Sequence, residues 1–208
     1  MLTTSTPPTL VTLDFWADLA CPWCYVGSRR LALAVAHEAD GSVLTRWRCF
    51  QLQPGVTAAS APLDDASVAP VLEAGREVGI LFRRPSLDRQ PDTTLAQRAV
   101  LLYDGEPRQR AVSAALHAAH FERGVDLSRL DAVVATTAHA SGETRDRVRQ
   151  RLLAGEGETE LAADLLEARL TGVTAAPTYV VAGRVAVQGA QEVEVLRALI
   201  AEGRRFAG

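Results

Sequence analysis

Two cysteines stand three positions apart in Cys21-Pro22-Trp23-Cys24, between a β-type run and a helical one. A thiol at such a junction has a physical logic. A helix start leaves backbone N–H groups unpaired, and these, with the helix dipole, stabilise a negative sulfur. The pKa of Cys21 is therefore expected to fall, which makes it the attacking or leaving thiolate. Cys24 lies one turn further in, more shielded and within disulfide reach, and is expected to resolve the intermediate. Such a pair accepts or donates two electrons by thiol–disulfide exchange.

Zinc is the rival use of two cysteines at this spacing, and it needs four ligands of the Cys or His type. The chain offers Cys49, His37, His117, His120 and His139, but no second CxxC. Cys49 lies inside an apolar strand pattern and reads as a small buried hydrophobe. His117 and His120 are i,i+3 on one helix, with no third ligand at a suitable spacing. An ordinary helical face is expected there, and no metal site. His37, late in the first helix, reads as a complement to the helix terminus.

The elements that must position these thiols follow from periodicity. Val11 to Trp16 alternates and is rich in β-branched and aromatic residues, which predicts a strand. A helix is expected from Pro22 to about Ala39, with Pro22 just inside its start and Gly41 ending it. Val43 to Gln53 alternates again and reads as a second strand before Pro54-Gly55. From Asp65 to Leu170 the chain turns Ala-, Leu-, Arg- and Glu-rich, and its Gly and Pro breakers divide it into about five or six helices. Strand signals return at Pro177 to Val181 and at Arg184 to Val187. Ala182-Gly183 joins them as a hairpin turn. A last helix is expected from about Ala190 to Glu202. The order is βαβ, a helical insert, then ββα.

Composition bounds the reading. The chain has 208 residues, 48% of them hydrophobic, and a net charge of −3. That suits one full core and excludes a disordered chain or a disulfide-dense miniprotein. A mildly acidic chain lacks the basic stripe of a general nucleic-acid binder. All 22 basic residues are arginine, read as codon bias. This removes any lysine Schiff base or phosphate-loop lysine. Met1 to Trp16 lacks the basic start and long apolar core of a secretory signal, and the apolar runs are too short to span a bilayer. A soluble cytoplasmic protein is expected.

Asp14 to Gly27, with its CPWCYxG core, resembles the active-site segment of thioredoxin-fold oxidoreductases, specifically the FrnE-like branch of the DsbA family. The likeness extends over nearly the whole chain. Trp47 to Pro54 is similar to the family's second strand. Pro91 to Arg98 resembles a PNTxxAHR-like helix start, with Asp92 and Gln97 in place of Asn and His. Phe121 to Leu127 resembles an FxxGxDI segment. Gly172 to Tyr179 is similar to the GVxGVPxF loop, with Ala175 and Ala176 replacing Gly and a β-branched residue. Gln188 to Gln191 is similar to the GAQ segment before the last helix. His117 and His120 fall where the family usually has aromatics.

The resemblance implies an α/β thioredoxin-like fold (βαβ–ββα) with a large all-helical insertion between the second and third strands. Residues 1–60 and 172–208 would form the thioredoxin-like domain and 61–171 the insert. It implies that Pro177 is a cis proline packed against the disulfide. Ala176 and Pro177 would then face the substrate backbone, with Pro22 and a partly exposed Trp23 beside them. Asp18 is either a setter of the thiol proton balance or a loop and cap residue. Asp14 either takes a proton from Cys24 through water or is a strand residue facing solvent. Arg29 and Arg30 are the nearest fixed positive charges in sequence. The implied activity is dithiol–disulfide exchange, with no bound cofactor and with glutathione or another thiol or disulfide as redox co-substrate. The implied partners are protein or small-molecule thiols and disulfides. A homodimer is a further expectation, and nucleic acid and membrane are not expected. The alternative is a glutathione-dependent isomerase or transferase of the kappa-class or hydroxychromene-carboxylate isomerase type. Those enzymes usually carry one Ser at the nucleophile position, and the second cysteine here argues against them.

Overall fold

The computed structural model describes residues 10–39, 41–52, 63–105 and 107–206. Strand β1 (Val11–Ala17) runs parallel to β2 (Val43–Cys49), with Phe15 opposite Trp47. Helix α1 (Pro22–Ala36) makes the crossover that a parallel pair requires. Strand β3 (Thr178–Val181) pairs antiparallel with β1, Tyr179 opposite Phe15, and β4 (Val185–Gln188) pairs antiparallel with β3. The sheet order is β2-β1-β3-β4. In the hairpin between β3 and β4, Ala182 (φ 51°) and Gly183 (φ 64°) are both left-handed. That is the geometry a two-residue turn needs to match strand twist.

Alternation sorts the sheet's two faces. Val11 and Val181 pack under helix α9 (Val193–Arg204), where a Cβ added at Gly203 would lie 2.3 Å from Val181 Cγ2. Trp16, of opposite parity, packs on Ala168 and Val173 at the end of helix α8 (Glu158–Thr171). Among the described residues seven helices run between β2 and β3. Six precede α8: α2 (Asp65–Glu77), α3 (Arg84–Leu87), α4 (Thr94–Leu101), α5 (Pro107–Phe121), α6 (Leu130–Ser141) and α7 (Arg145–Leu153). The expected five or six fall short because α3 is a single turn set by Pro85, too short for periodicity to show. Fully buried Ala96 and Ala99 let α4 lie close against α5, α6, α7 and α8.

Three boundaries differ from expectation for local reasons. Helix α1 stops at Ala36 with His37 as C-cap, and Gly41 (φ 71°) turns the chain toward β2 instead of capping the helix. Strand β2 stops at Cys49 because its partner β1 ends opposite, at Ala17. The expected strand end at Gln53 and the expected domain boundary near residue 60 lie outside the described residues. Helix α9 starts at Val193, after an extended Glu192.

Strand β2 is an edge, and its outward N–H groups would be orphans if nothing met them. The helical insert meets them. Gln109 Oε1 accepts from Trp47 N at 2.9 Å, and Asp164 Oδ2 accepts from Cys49 N at 2.7 Å. The insert thereby closes the sheet edge and fixes its own position relative to β1 and the loop that follows.

Candidate active site

That loop, residues 18–21, carries the chain from β1 into α1. Cys21 is the N-cap residue of α1 in extended conformation, and Pro22 is just inside the helix. Cys21 Sγ accepts from Cys24 N at 3.4 Å, so the sulfur sits where the first turn's N–H groups are unpaired. On its other side Sγ donates to Ala176 O at 3.8 Å. Cys21 is nearly buried and Cys24 fully so, and both are free thiols. Burial pushes the Cys24 thiol well above its ordinary value, and the adjacent Cys21 raises it further. Trp23, between them, is 38% exposed.

The loop facing Cys21 is held by its own hydrogen bonds. The Ala176–Pro177 peptide is cis. Thr178 Oγ1 donates to Ala175 O at 2.7 Å, and Gly189 N donates to Pro177 O at 2.7 Å. The neighbouring carbonyls are thus engaged within the loop and hairpin, while Ala176 O is turned toward the thiol.

Asp18 is buried and organises the site's floor. Its carboxylate accepts from Ala20 N at 3.0 Å, Leu52 N at 2.9 Å and Thr93 Oγ1 at 2.9 Å. Thr93 is the N-cap residue of α4, yet its hydroxyl makes no cap bond because it is turned to Asp18. Burial raises the Asp18 carboxyl above its ordinary value despite these three donors, and its charge in turn raises Cys24. Asp14 lies elsewhere. It shares the sheet face of Trp16 and binds Arg46 through two hydrogen bonds, of 2.7 and 3.0 Å. The structure brings Cys21, Cys24, Asp18 and Ala176 together and leaves Asp14 out. Arg30 also points away, held by Glu77, Glu192 and Ala190 O.

Several contributors carry no local signal in the sequence. Gln97 is fully buried, accepts from Trp47 Nε1 at 2.8 Å, and donates to Ala17 O and Phe50 O beside the loop. Tyr179 points its ring at α1, and its hydroxyl is buried without a hydrogen-bond partner. A Cβ added at Gly27 would lie 2.3 Å from that hydroxyl and 3.2 Å from Pro177 Cγ. This is the physical reason for the glycine in CPWCYxG, and it would be visible only to someone who knew that residue 179 lies across from it. His117 and His120 are not an ordinary helical face. Both are buried, and His117 stacks on Tyr25 with centroids 5.0 Å apart and meets Trp47 edge-on. They fill aromatic positions. Among the described residues no group of three or more His, Cys, Asp or Glu is arranged to hold a metal. Cys49 is fully buried, and burial raises its thiol well above the ordinary value.

Comparisons with known proteins place this geometry. A search of curated proteins returned no match. Among solved structures, the chain is similar to a "probable DsbA oxidoreductase" from Streptomyces coelicolor at 25% identity. That likeness covers 93% of this chain and 89% of the other, with a TM-score of 0.77. The fold is shared with 2-hydroxychromene-2-carboxylate isomerase at 16% identity, 94% and 96% coverage and a TM-score of 0.73. It is shared too with the cytosolic disulfide reductase DsbM from Pseudomonas aeruginosa, at 18% identity, 94% and 96% coverage and a TM-score of 0.62. Among the described residues no helix is long and apolar enough to cross a membrane. The profile of the DSBA-like thioredoxin domain matches residues 12–201, nearly the whole described chain, and the protein belongs to that family.

Proposed function

We propose that the protein is a cytoplasmic thiol–disulfide oxidoreductase working through Cys21 and Cys24 on protein or small-molecule thiols and disulfides. Cys21 Sγ, as thiolate, attacks one sulfur of a substrate disulfide. That S–S bond breaks, the other substrate sulfur leaves as a thiolate, and Cys21 is joined to the substrate. Cys24 loses its proton and attacks Cys21 Sγ. The Cys21–Cys24 disulfide closes, the second substrate thiol leaves, and two electrons have passed to the substrate. In reverse, the disulfide form oxidises a substrate dithiol. Glutathione or another thiol is the co-substrate that returns the pair to its starting state.

The observation that carries this reading is the seat of Cys21 Sγ, between Cys24 N–H and Ala176 C=O, with Cys24 buried behind it. Pro22 and Trp23 on one side and Ala176 and Pro177 on the other frame the substrate face. An extended substrate backbone beside Ala176 would pair as an added strand. Asp18 acts on Cys24 by its charge, and as a buried carboxyl it is a candidate to take its proton. Reduction of insulin in the presence of glutathione tests the reading. Cys21→Ser is expected to fall to background, and activity surviving that change overturns the mechanism. Asp18→Asn removes a charge that disfavours the Cys24 thiolate, so the Cys24 titration is expected to move to lower pH. An unmoved titration would remove Asp18 from the chemistry.

A further inference from the structure

A cavity of about 100 Å³ lies among α1, β2 and α5, and neither thiol of the CxxC pair lines it. Phe15, Leu31, Val35, Trp47 and Ala114 form its apolar walls. Three of the six polar side chains that line it are engaged elsewhere. Ser28 Oγ and Ser113 Oγ donate within their own helices, to Tyr25 O and Arg110 O. Arg46 holds Asp14. Its apolar walls offer water no partner, and close-packed interiors keep few voids of this size. An apolar guest gains by filling it.

Two other lining residues set the guest's charge. Arg29 of α1 and Arg110 of α5 have no acidic partner and no side-chain hydrogen bond among the described residues. The buried or half-buried Arg30, Arg48, Arg98 and Arg151 are ion-paired, whereas Arg29 and Arg110 are exposed and line the same cavity. Two unpaired guanidiniums flanking one apolar cavity match a molecule with an apolar body and a single carboxylate. A wider groove along α1 and β2 shares Ala32, Val35, Thr45 and Arg110 with the cavity, so a chain longer than the cavity has room to run.

We propose that this cavity binds a small amphiphilic carboxylate, its apolar body among Phe15, Leu31 and Trp47 and its carboxylate held by Arg29 and Arg110. The Trp47 indole forms one wall and reports occupancy. Octanoate is the probe, titrated into the wild-type protein with tryptophan fluorescence and calorimetry as readouts. The expected result is saturable one-to-one binding with a Kd below about 1 mM. Arg29→Gln/Arg110→Gln, two exposed positions, is expected to weaken it at least about tenfold through lost charge-assisted contacts. Ala114→Leu, which fills the cavity, is expected to abolish it while insulin reduction persists. Absence of saturable binding, undiminished binding in either variant, or octanol binding as tightly as octanoate each overturns the proposal.

Discussion

Cys24 and Cys49 are both fully buried thiols, and burial is the largest cause raising each. Their surroundings differ. Cys24 has the Cys21 sulfur one helical turn away, and that sulfur acts on its thiol. Cys49 ends a strand, its N–H is held by Asp164, and the groups acting on its thiol are Asp164, Trp47 and Asp18, none of them a sulfur. Burial alone therefore does not separate a redox thiol from a packing thiol. A second sulfur within reach, at a helix start that can stabilise charge, does.

The largest expected effect breaks or keeps that distinction. Cys24→Ser leaves Cys21 able to attack but not to be released, so mixed disulfides accumulate and turnover falls to background. Cys49→Ala is expected to leave turnover unchanged and to cost about 1 kcal/mol for a small core vacancy. Insulin turnover and thermal melting measure the two sides. Lost turnover in Cys49→Ala would erase the contrast.

A smaller effect sharpens it on the packing side. The helix face behind Cys24 has no spare room, because the Tyr179 hydroxyl occupies the space a Cβ at Gly27 would need. Gly27→Ala is expected to cost about 1–3 kcal/mol as overpacking. Tyr179→Phe removes the atom at 2.3 Å and leaves Tyr179 Cζ at 3.5 Å, an ordinary contact. The double variant should recover most of the loss, with Pro177 Cγ at 3.2 Å accounting for the rest. Equal losses from Gly27→Ala with Tyr or Phe at 179 would show that this fit is not the cause.

The contrast also marks where sequence reading stops. The order of strands and helices was legible because alternation, helical periodicity and Gly or Pro breakers are local signals. So was the CxxC at a strand-to-helix junction, and the family likeness pointed to the Ala176-Pro177 loop that the fold sets beside Cys21. The Gly27–Tyr179 fit and the Asp18–Thr93 bond span contacts that only the fold creates. Nothing around Thr93 in the sequence shows that its hydroxyl goes to Asp18, 75 positions earlier. The i,i+3 spacing of His117 and His120 reads as an ordinary helical face, and the burial of His117 follows from Tyr25, Trp47 and Phe121 closing around it.

The finest separation between the two thiol environments is in pH. Asp164, on the Cys49 side, is pushed up to about 6 by burial, against the pull of the Cys49 N–H and Arg48. From about pH 4 to 6 the folded chain keeps a proton that the unfolded chain has released. The stability Asp164 contributes is full below that window and is lost as pH rises through it. His117, stacked on Tyr25 beside Cys24, is pushed down to about 3 by burial, and neither ring nitrogen has a hydrogen-bond partner. Below about pH 6.5 the unfolded chain takes up a proton that the folded chain refuses. This contribution is full above that pH and is lost as pH falls toward 3. The two slopes oppose each other between about pH 4 and 6, each at most about 1.4 kcal/mol per pH unit. Asp164→Asn keeps an acceptor for Cys49 N and should leave the His117 slope exposed, so stability falls more steeply on acidification. His117→Phe should do the reverse, and should also raise stability near neutral pH by about 1 kcal/mol as two orphaned polar atoms disappear. Denaturant midpoints at about pH 4.5 and 6 measure both slopes. Parallel behaviour of the wild-type protein and both variants would show that neither group titrates as its burial requires.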